Sequence, residues 1–386
     1  MHTARRTHGF TESVIRGMTR LANQHGAVNL AQGFPNFACP DLLKEAAIAA
    51  IRADVNQYAI TWGAKKLRDA LARKYASWYG LAIDPDQEVT ITCGATEAMA
   101  SALLALVDPG EEVVVFEPFY ENYGPDAVLC GARPVYVPIA PDRPLDLDRV
   151  AAAFSPRTRA IIVNTPNNPT GRVLSRAELE GIAALCVRQG AYAITDEIYE
   201  HIRYDGEHVP MATLSGMRER TVTVSGYSKT FSITGWRIGT IVAPPPLTAA
   251  IRKVHDFLTV GAPAPLQEAV SAAIDGLPRS YYDEMSQAYR RRRDLLVGAL
   301  RAAGFRCAPP EGAYYVLADY GALSEQDDVA FARELVVSHG VACVPASSFF
   351  AAPDPSRRLV RFAFCKTDDV LAEAGRRLEG VRRARG

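Results

Sequence analysis

The sequence predicts an α/β protein with a mostly parallel central sheet and helices on both faces. Short apolar runs rich in β-branched residues, such as residues 160–163 and 221–224, alternate with helical patterns. Such runs are typical of parallel strands that are buried on both faces. The chain of 386 residues is also longer than one hydrophobic core usually supports. We therefore expect a second, smaller α+β domain.

The periodicity places helices and strands in order along the chain. Helix signals cover residues 12–22, 42–53, 65–79, 98–107, 175–189, 248–257, 266–276, 282–303 and the segment from Asp368 onward. Strand signals cover residues 88–93, 112–116, 132–137, 160–163, 191–195, 221–224, 238–243, 314–317, 341–344 and 359–364. The helix over 175–189 opens with Ser175 and Glu178 in the spacing of a capping box.

This order of elements predicts three parts. Residues 1–45 form an N-terminal arm that packs with the small domain, residues 46–290 form the large domain, and residues 291–386 form the small C-terminal domain. No internal repeat or long linker interrupts them.

Composition excludes several classes of function. Lys+Arg and Asp+Glu balance at 43 each, so no net charge attracts nucleic acid or an acidic membrane. Seven scattered cysteines without a CxxC pair indicate reduced core residues rather than disulfides or a metal site. No secretory signal core and no apolar run of membrane-spanning length occurs. The sequence therefore predicts a cytoplasmic protein.

A single lysine stands out. Lys229 follows the apolar run 221–224, and lysine is almost never fully buried without a reason. It could neutralise a phosphate, or it could act as an amine nucleophile that forms an imine with an aldehyde. Taken alone, Lys229 is equally consistent with an ordinary surface lysine.

Other polar residues also follow predicted strands. Ligands of open α/β sheets bind outside the carboxyl ends of the strands, so these residues should meet. Ala95 and Thr96 open a helix whose free N–H groups could hold a phosphate, although an ordinary turn is the alternative. Arg237, eight residues after Lys229, could bind the same phosphate or form a surface salt bridge.

Asp196 closes an apolar strand, so its carboxylate should be partly buried and should need a cationic partner. A protonated heterocyclic nitrogen would serve, and so would an arginine. Tyr199 could bind a phenolate-like oxygen or could simply pack, and Asn168 lies in a turn-rich segment. The phosphate motifs GxxxxGK[ST] and GxGxxG are missing, which argues against P-loop NTPases and dinucleotide dehydrogenases.

Arg361 is the candidate that depends most on local pattern. A strand period of two places it on one face with Leu359, Ala363 and Cys365. A guanidinium on such an apolar face is costly to desolvate unless an anion meets it. That anion is either a carboxylate of the protein or a carboxylate of the substrate.

In these residues and their order, the chain resembles the fold-type-I, pyridoxal-phosphate-dependent aminotransferases. The resemblance rests on five segments in a fixed order: Gly94-Ala-Thr-Glu-Ala98, Asn164-Thr-Pro-Asn-Asn-Pro-Thr-Gly171, Thr195-Asp-Glu-Ile-Tyr199, Ser228-Lys-Thr-Phe231 with Thr234-Gly-Trp-Arg237, and Val360-Arg-Phe362. Similarity is closer to the kynurenine and methionine aminotransferase branch, through Gln32-Gly-Phe-Pro-Asn36, Asn56-Gln-Tyr58, Glu117-Pro-Phe-Tyr120 and Ile251-Arg-Lys-Val-His255.

The resemblance implies a role for each candidate at pyridoxal 5'-phosphate. Lys229 would form the internal aldimine, and Asp196 would keep the pyridine nitrogen protonated. Tyr199 and Asn168 would bind the phenolic oxygen, and Tyr120 would stack on the ring. The phosphate would be held by Ala95, Thr96, Ser228, Arg237 and by Tyr58 of the partner subunit.

For the substrate, the resemblance implies that Arg361, Asn168 and the backbone of Gly33 bind the α-carboxylate. Four loop aromatics, Tyr58, Trp62, Tyr120 and Tyr123, favour an apolar side chain on the amino donor. We therefore expect a homodimeric aminotransferase that moves an amino group from a neutral, aromatic or sulfur-containing L-amino acid to a 2-oxo acid by a ping-pong mechanism. Alternatives on the same fold are a β-lyase, a decarboxylase or a cyclase. A DNA-binding regulator built on this fold is a further alternative, but the short arm leaves no room for a DNA-binding module.

Two departures limit the transfer of roles. Gly226 stands where aspartate aminotransferases commonly have serine, so one phosphate hydroxyl is missing. The sequence also offers no clear equivalent of the distal arginine that reads a dicarboxylic side chain. Aspartate is therefore not the expected donor.

Overall fold

A computed structural model describes residues 3–140, 143–352, 354 and 356–383. Its largest sheet has seven strands in the order β2-β8-β7-β6-β5-β3-β4: Val89–Thr92 (β2), Gly239–Val242 (β8), Thr221–Gly226 (β7), Tyr192–Asp196 (β6), Thr158–Asn164 (β5), Glu112–Glu117 (β3) and Arg133–Pro138 (β4). Only β8 runs antiparallel to its neighbours. The predicted mostly parallel sheet is confirmed.

Helices cover both faces of this sheet. The buried side chains of helices Ala95–Leu106 and Pro245–Thr259 pack with one face, and those of helix Arg176–Gln189 pack with the other. The helices are Val14–His25 (α1), Asp41–Arg52 (α2), Lys65–Tyr79 (α3), Ala95–Leu106 (α4), Tyr123–Leu129 (α5), Leu147–Ala152 (α6), Arg176–Gln189 (α7), Pro245–Thr259 (α8), Ala264–Gly276 (α9), Arg279–Ala302 (α10), Asp328–His339 (α11) and Asp368–Arg383 (α12).

The remaining strands form two small sheets. Val344–Pro345 (β11), Leu359–Ala363 (β12) and Tyr315–Asp319 (β9) form an antiparallel sheet in the order β11-β12-β9. Val28–Asn29 (β1) of the N-terminal segment pairs in parallel with Val341–Ala342 (β10). The N-terminal segment is therefore hydrogen-bonded to the C-terminal part of the chain.

Long helix α10 takes part in two cores. Tyr282, near its beginning, packs in the core that contains α2, α3 and α9, whereas Leu296 and Leu300 pack with the C-terminal strands and helices. The boundary predicted at residue 290 thus falls inside a continuous helix. Helical periodicity runs straight through this position, so the sequence contains no break to detect there.

Most predicted elements are present, with shifted ends. The capping box of α7 forms, because Ser175 accepts from the N–H of Glu178 while the Glu178 carboxylate accepts from the N–H of Ser175. The predicted strand over 341–344 is wrong as one element, since β10 and β11 belong to different sheets. Helices α5 and α6 were not predicted. Within the described residues, the helices are all too short or too polar to span a bilayer.

Candidate active site

A cleft opens at the carboxyl ends of the parallel strands. It is lined by all the candidate residues except Tyr58, which lies on the surface with 83% of its area exposed. Residues from β5, β6 and the turn after β7 meet here because parallel strands end at the same edge of the sheet. The candidates that line the cleft are Gly33, Ala95, Thr96, Tyr120, Asn168, Asp196, Tyr199, Ser228, Lys229, Arg237 and Arg361.

One end of the cleft is the N-terminus of α4. The helix starts at Ala95, three residues earlier than predicted, directly after Gly94 with a φ of 83°. The first N–H groups of a helix have no partner within the helix, so those of Ala95 and Thr96 are available to an anion. Ser228 lines the same cleft. These groups together can bind a phosphate.

Arg237 lies against this helix end and is exposed to solvent. Its Nη1 donates to the carbonyl of Thr234 at 3.1 Å, and its Nη2 lies 3.5 Å from the carbonyl of Cys93. A side chain on Gly94 would collide with the guanidinium, so the glycine allows the arginine to approach the helix. Within the described chain, no carboxylate forms a salt bridge with Arg237, which leaves its charge available for a ligand.

Asp196, at the end of β6, is buried and does not pair with an arginine. Its Oδ2 accepts from the hydroxyl of Tyr123 at 2.7 Å, and its Oδ1 accepts from the N–H of Ile198 at 3.3 Å. Burial raises the pKa of this carboxyl, and the hydrogen bond from Tyr123 opposes the rise. A buried carboxylate whose hydrogen-bond donors are both neutral is suited to bind a protonated ring nitrogen.

Lys229 projects into the cleft between these groups. Its Nζ donates to the carbonyl of Gly33 at 3.1 Å, which connects the turn after β7 to the N-terminal segment. Desolvation, together with the nearby charges of Arg237 and Arg361, lowers the pKa of the amine to about 8. Near pH 8 a large fraction of the amine is therefore neutral and can act as a nucleophile or a base.

At the other end of the cleft, Arg361 of β12 is fully buried, with 0% of its area exposed. Its Nη1 donates to Oδ1 of Asn168 at 2.9 Å, and its Nη2 donates to the carbonyl of Ala31 at 2.8 Å. The guanidinium carbon lies 4.3 Å from the ring centre of Tyr315 and 4.9 Å from that of Phe349. Among the described residues, Arg361 has no carboxylate partner, and its buried Nε has no hydrogen-bond partner at all. Such a group can accept an external carboxylate.

A loop at residues 31–34 is held by cationic and phenolic side chains. The carbonyl of Gly33 accepts from Lys229 and from the hydroxyl of Tyr314. Lys366 donates to the carbonyls on either side, those of Gln32 at 3.1 Å and Phe34 at 2.8 Å. The backbone of Gly33 is thereby fixed at the edge of the cleft.

Sequence reasoning gave no site role to Tyr123, Asp126 and Tyr315, which are among the polar residues that line the cleft. Tyr123 was interpreted only as a loop aromatic, but it donates to Asp196 from the first turn of α5. Tyr315 lies 3.0 Å from the hydroxyl of Tyr199. Asp126 is buried, and its Oδ2 has no hydrogen-bond partner. Burial raises the pKa of Asp126 to about 7. Only the helical spacing of Tyr123 and Asp126 could have indicated a shared face.

The four aromatic residues that suggested an apolar side-chain preference divide into two pairs. Tyr120 and Tyr123 line the cleft, with ring centres 5.7 Å apart. Tyr58 and Trp62 do not line it, and Trp62 instead packs under the guanidinium of Arg252 at 4.9 Å. Within one chain, the apolar preference therefore rests on Tyr120 and Tyr123.

The residues present fit pyridoxal phosphate. A helix N-terminus with an arginine that has no carboxylate partner would hold the phosphate, a buried carboxylate would bind the ring nitrogen, and an amine with a lowered pKa would react with the aldehyde. Gly94 and Gly239 support the phosphate end, because a side chain on Gly239 would collide with the backbone of Gly94. The donor set thus matches the chemistry of the group at three separate points.

Comparison with known proteins agrees with this geometry. Residues 26–378 match the family model described as aminotransferase class I and II. The methionine aminotransferase of Escherichia coli K12 is 39% identical and is covered over 95% of each chain, and human kynurenine–oxoglutarate transaminase 1 is 35% identical with the same coverage. The solved structure of N-succinyldiaminopimelate aminotransferase from Mycobacterium tuberculosis superposes with a TM-score of 0.96 at 42% identity, covering 98% of this chain and 100% of that chain.

Proposed function

The chain belongs to the class I and II aminotransferases, and we propose that within this family it transfers the amino group of a neutral, aromatic or sulfur-containing L-amino acid to a 2-oxo acid. It is thus a pyridoxal-phosphate-dependent enzyme of fold type I, near the kynurenine and methionine branch. The observation that carries the proposed substrate class is the set of cations in the cleft. Of the described residues that line it, only Lys229, Arg237 and Arg361 are cationic.

Each of these cations has a proposed role already. Arg237 binds the cofactor phosphate, Lys229 holds the cofactor covalently, and Arg361 binds the substrate α-carboxylate. No cation of the described chain is then left at the cleft for a second carboxylate on the substrate. A dicarboxylic side chain would therefore be desolvated without a partner, which favours neutral side chains.

The bound cofactor supplies an aldehyde and an electron-withdrawing ring. Asp196 keeps the proton on the ring nitrogen, while Tyr199 and Asn168 bind the phenolic oxygen. Tyr120, which lines the cleft, would pack on the face of the cofactor ring. Arg361 orients the substrate by its carboxylate, with the backbone of Gly33 beside it. Lys229, once free, would act as the base that takes the proton from the substrate Cα onto its Nζ. As the resulting ammonium, it would then deliver that proton to the cofactor and become neutral again. The one carboxylate site serves donor and acceptor in turn, which implies ping-pong kinetics.

An amino-donor panel followed by absorbance tests this function. Methionine, kynurenine and phenylalanine should convert the visible cofactor band to the pyridoxamine form and should leave the matching 2-oxo acids. Release of pyruvate from a cysteine conjugate without this conversion would show β-elimination instead. Faster turnover of aspartate or of N-succinyldiaminopimelate would overturn the proposed substrate class but not the transamination.

We also propose that the active unit is a homodimer in the cytoplasm, with the phosphate site completed by Tyr58 of the partner subunit. Support comes from an exposed apolar surface around Tyr58 and the end of α8, where Phe257 is 91% exposed. The two segments are adjacent, since Nε2 of His255 lies 2.8 Å from the carbonyl of Thr61. Exposed apolar area of this kind is typical of a protein interface. Light scattering that finds a fully active monomer would contradict the dimer.

The division of the chain at residues 45 and 290 remains part of this proposal. The arm and the C-terminal segment are joined by β1 and β10, and they carry Gly33 and Arg361 to the same side of the cleft. Substrate binding would then connect both segments to the large domain.

A further inference from the structure

Tyr315, the first residue of β9, lies between the two parts of the cleft. It is buried, and its hydroxyl lies 3.0 Å from the hydroxyl of Tyr199. Across the antiparallel pair, Tyr315 faces Ala363 and is the diagonal neighbour of Arg361 on the same face of the sheet. This register places its ring 4.3 Å from the guanidinium carbon of Arg361.

The surroundings are shaped to hold this hydroxyl. A side chain on Gly33 would collide with the Tyr315 hydroxyl, so the glycine leaves the space that the phenol occupies. Tyr314, the preceding residue, donates its hydroxyl to the carbonyl of Gly33 at 2.8 Å. The position of Tyr315 is therefore fixed by the backbone of the N-terminal segment as well as by its own strand.

Hydrogen-bond counting gives the direction of the contact between the two tyrosines. A phenol has one proton to donate. If Tyr199 donates to the phenolic oxygen of the cofactor, as the proposed function requires, it cannot also donate to Tyr315. Tyr315 must then donate to Tyr199. A hydroxyl that accepts one hydrogen bond becomes a better donor in the next.

We infer that Tyr315 is a positioning residue with two contacts, one through its hydroxyl to Tyr199 and one through its ring to Arg361. The hydroxyl strengthens the donation from Tyr199 to the cofactor. The ring supports the guanidinium in the plane that meets the substrate carboxylate. This inference rests on the proposed function, and it adds a residue that connects cofactor binding with substrate binding.

The hydroxyl is tested by Tyr315→Phe, which keeps the ring. Weaker donation from Tyr199 leaves the phenolic oxygen of the bound cofactor more basic. The pH midpoint of the visible absorbance should therefore rise by about half a unit or more. The KM values of donor and acceptor should change less than about twofold, because the contact with Arg361 is kept.

A double-mutant cycle separates this role from a structural one. If Tyr315 acts through Tyr199, the midpoint of Tyr199→Phe/Tyr315→Phe should equal that of Tyr199→Phe alone. The matched control is Tyr289→Phe, which removes a buried hydroxyl that has no hydrogen-bond partner and should leave the midpoint unchanged. Additive shifts in the cycle would overturn the inference.

The ring is tested by Tyr315→Leu. Loss of the contact with Arg361 should raise the KM of donor and acceptor by roughly tenfold, whereas Tyr315→Phe should not. A wild-type protein that lacks a visible cofactor band would overturn the proposed function and this inference with it. If the visible cofactor band of the wild type titrates with pH, and Tyr315→Phe has the same pH midpoint, this inference alone would be overturned.

Discussion

The two ends of the cleft each present an arginine without a carboxylate partner among the described residues, but in opposite surroundings. Arg237 is exposed and lies beside the N-terminus of α4, whereas Arg361 is fully buried over the rings of Tyr315 and Phe349. At the exposed end, helix N–H groups and Ser228 can share an anion with the guanidinium. At the buried end, the guanidinium is the principal charge. An arginine should therefore contribute more to ligand binding at the buried end than at the exposed end.

Lys229 lies between the two ends, and its replacement should have the largest effect. Lys229→Ala removes the covalent attachment and the base at Cα, so turnover should fall by roughly 10²–10⁴-fold or more. Both arginines stay in place, so the cofactor should still bind without a covalent bond. Borohydride reduction followed by mass spectrometry should find the cofactor on Lys229 in the wild type. Attachment to another lysine would show that Lys229 is not the residue that holds the cofactor.

Burial of the Asp126 carboxyl lowers the stability of the folded protein, and replacement of this residue can measure by how much. Asp126 has a pKa of about 7 in the folded protein, raised by burial from a usual value of 3.8. Between these pH values the folded state binds the proton and the unfolded state releases it. The free energy of unfolding therefore falls as pH rises from about 4 to about 7, and this contribution is constant above that range. Asp126→Asn removes this dependence and should gain stability by a few kcal/mol relative to wild type between pH 4 and pH 8.

Urea unfolding of the cofactor-free protein across this pH range measures the difference. The exposed Asp283 on α10 supplies the control, since Asp283→Asn should follow the wild-type curve. A parallel pH dependence in Asp126→Asn and wild type would mean that Asp126 is ionised throughout and has a partner in solution.

Arg361→Lys tests the buried end directly. Lysine keeps the charge but loses the planar fork, so binding of donor and acceptor should weaken alike, by roughly 1–3 kcal/mol. The affinity for the cofactor should not change. Steady-state kinetics with both substrates, together with cofactor titration of the cofactor-free protein, gives the two quantities. Loss of cofactor binding or of folding with unaltered substrate constants would identify Arg361 as a structural residue.

The difference between the two ends also shows what the sequence can and cannot predict. Asp196 ends a parallel strand and Lys229 follows one by three residues, and the two were predicted to meet because strand polarity alone brings them to one edge. The contact of Tyr315 with Tyr199 joins residues 116 positions apart, and it depends on how β9 lies against the large sheet. No local period encodes that placement, so Tyr315 was predicted only as part of a strand. Likewise, the full burial of Arg361 follows from tertiary packing, although its face of the strand was predictable.

Arg237→Lys should have the smallest effect, and it compares the two ends most closely because the substitution is the same. The N–H groups of α4 and the hydroxyl of Ser228 remain, and a lysine keeps the positive charge. In water-exposed surroundings, the loss of the fork should weaken cofactor binding by only about 0.5–1 kcal/mol, without change in the KM of the amino acid. The effect should also shrink when salt is raised from 0.05 to about 0.5 M, since exposed charges are screened. The effect of Arg361→Lys should be insensitive to the same change, because ions do not reach a fully buried guanidinium. If both substitutions cost the same binding free energy, or respond equally to salt, the exposure of the two arginines does not determine how much each contributes to ligand binding.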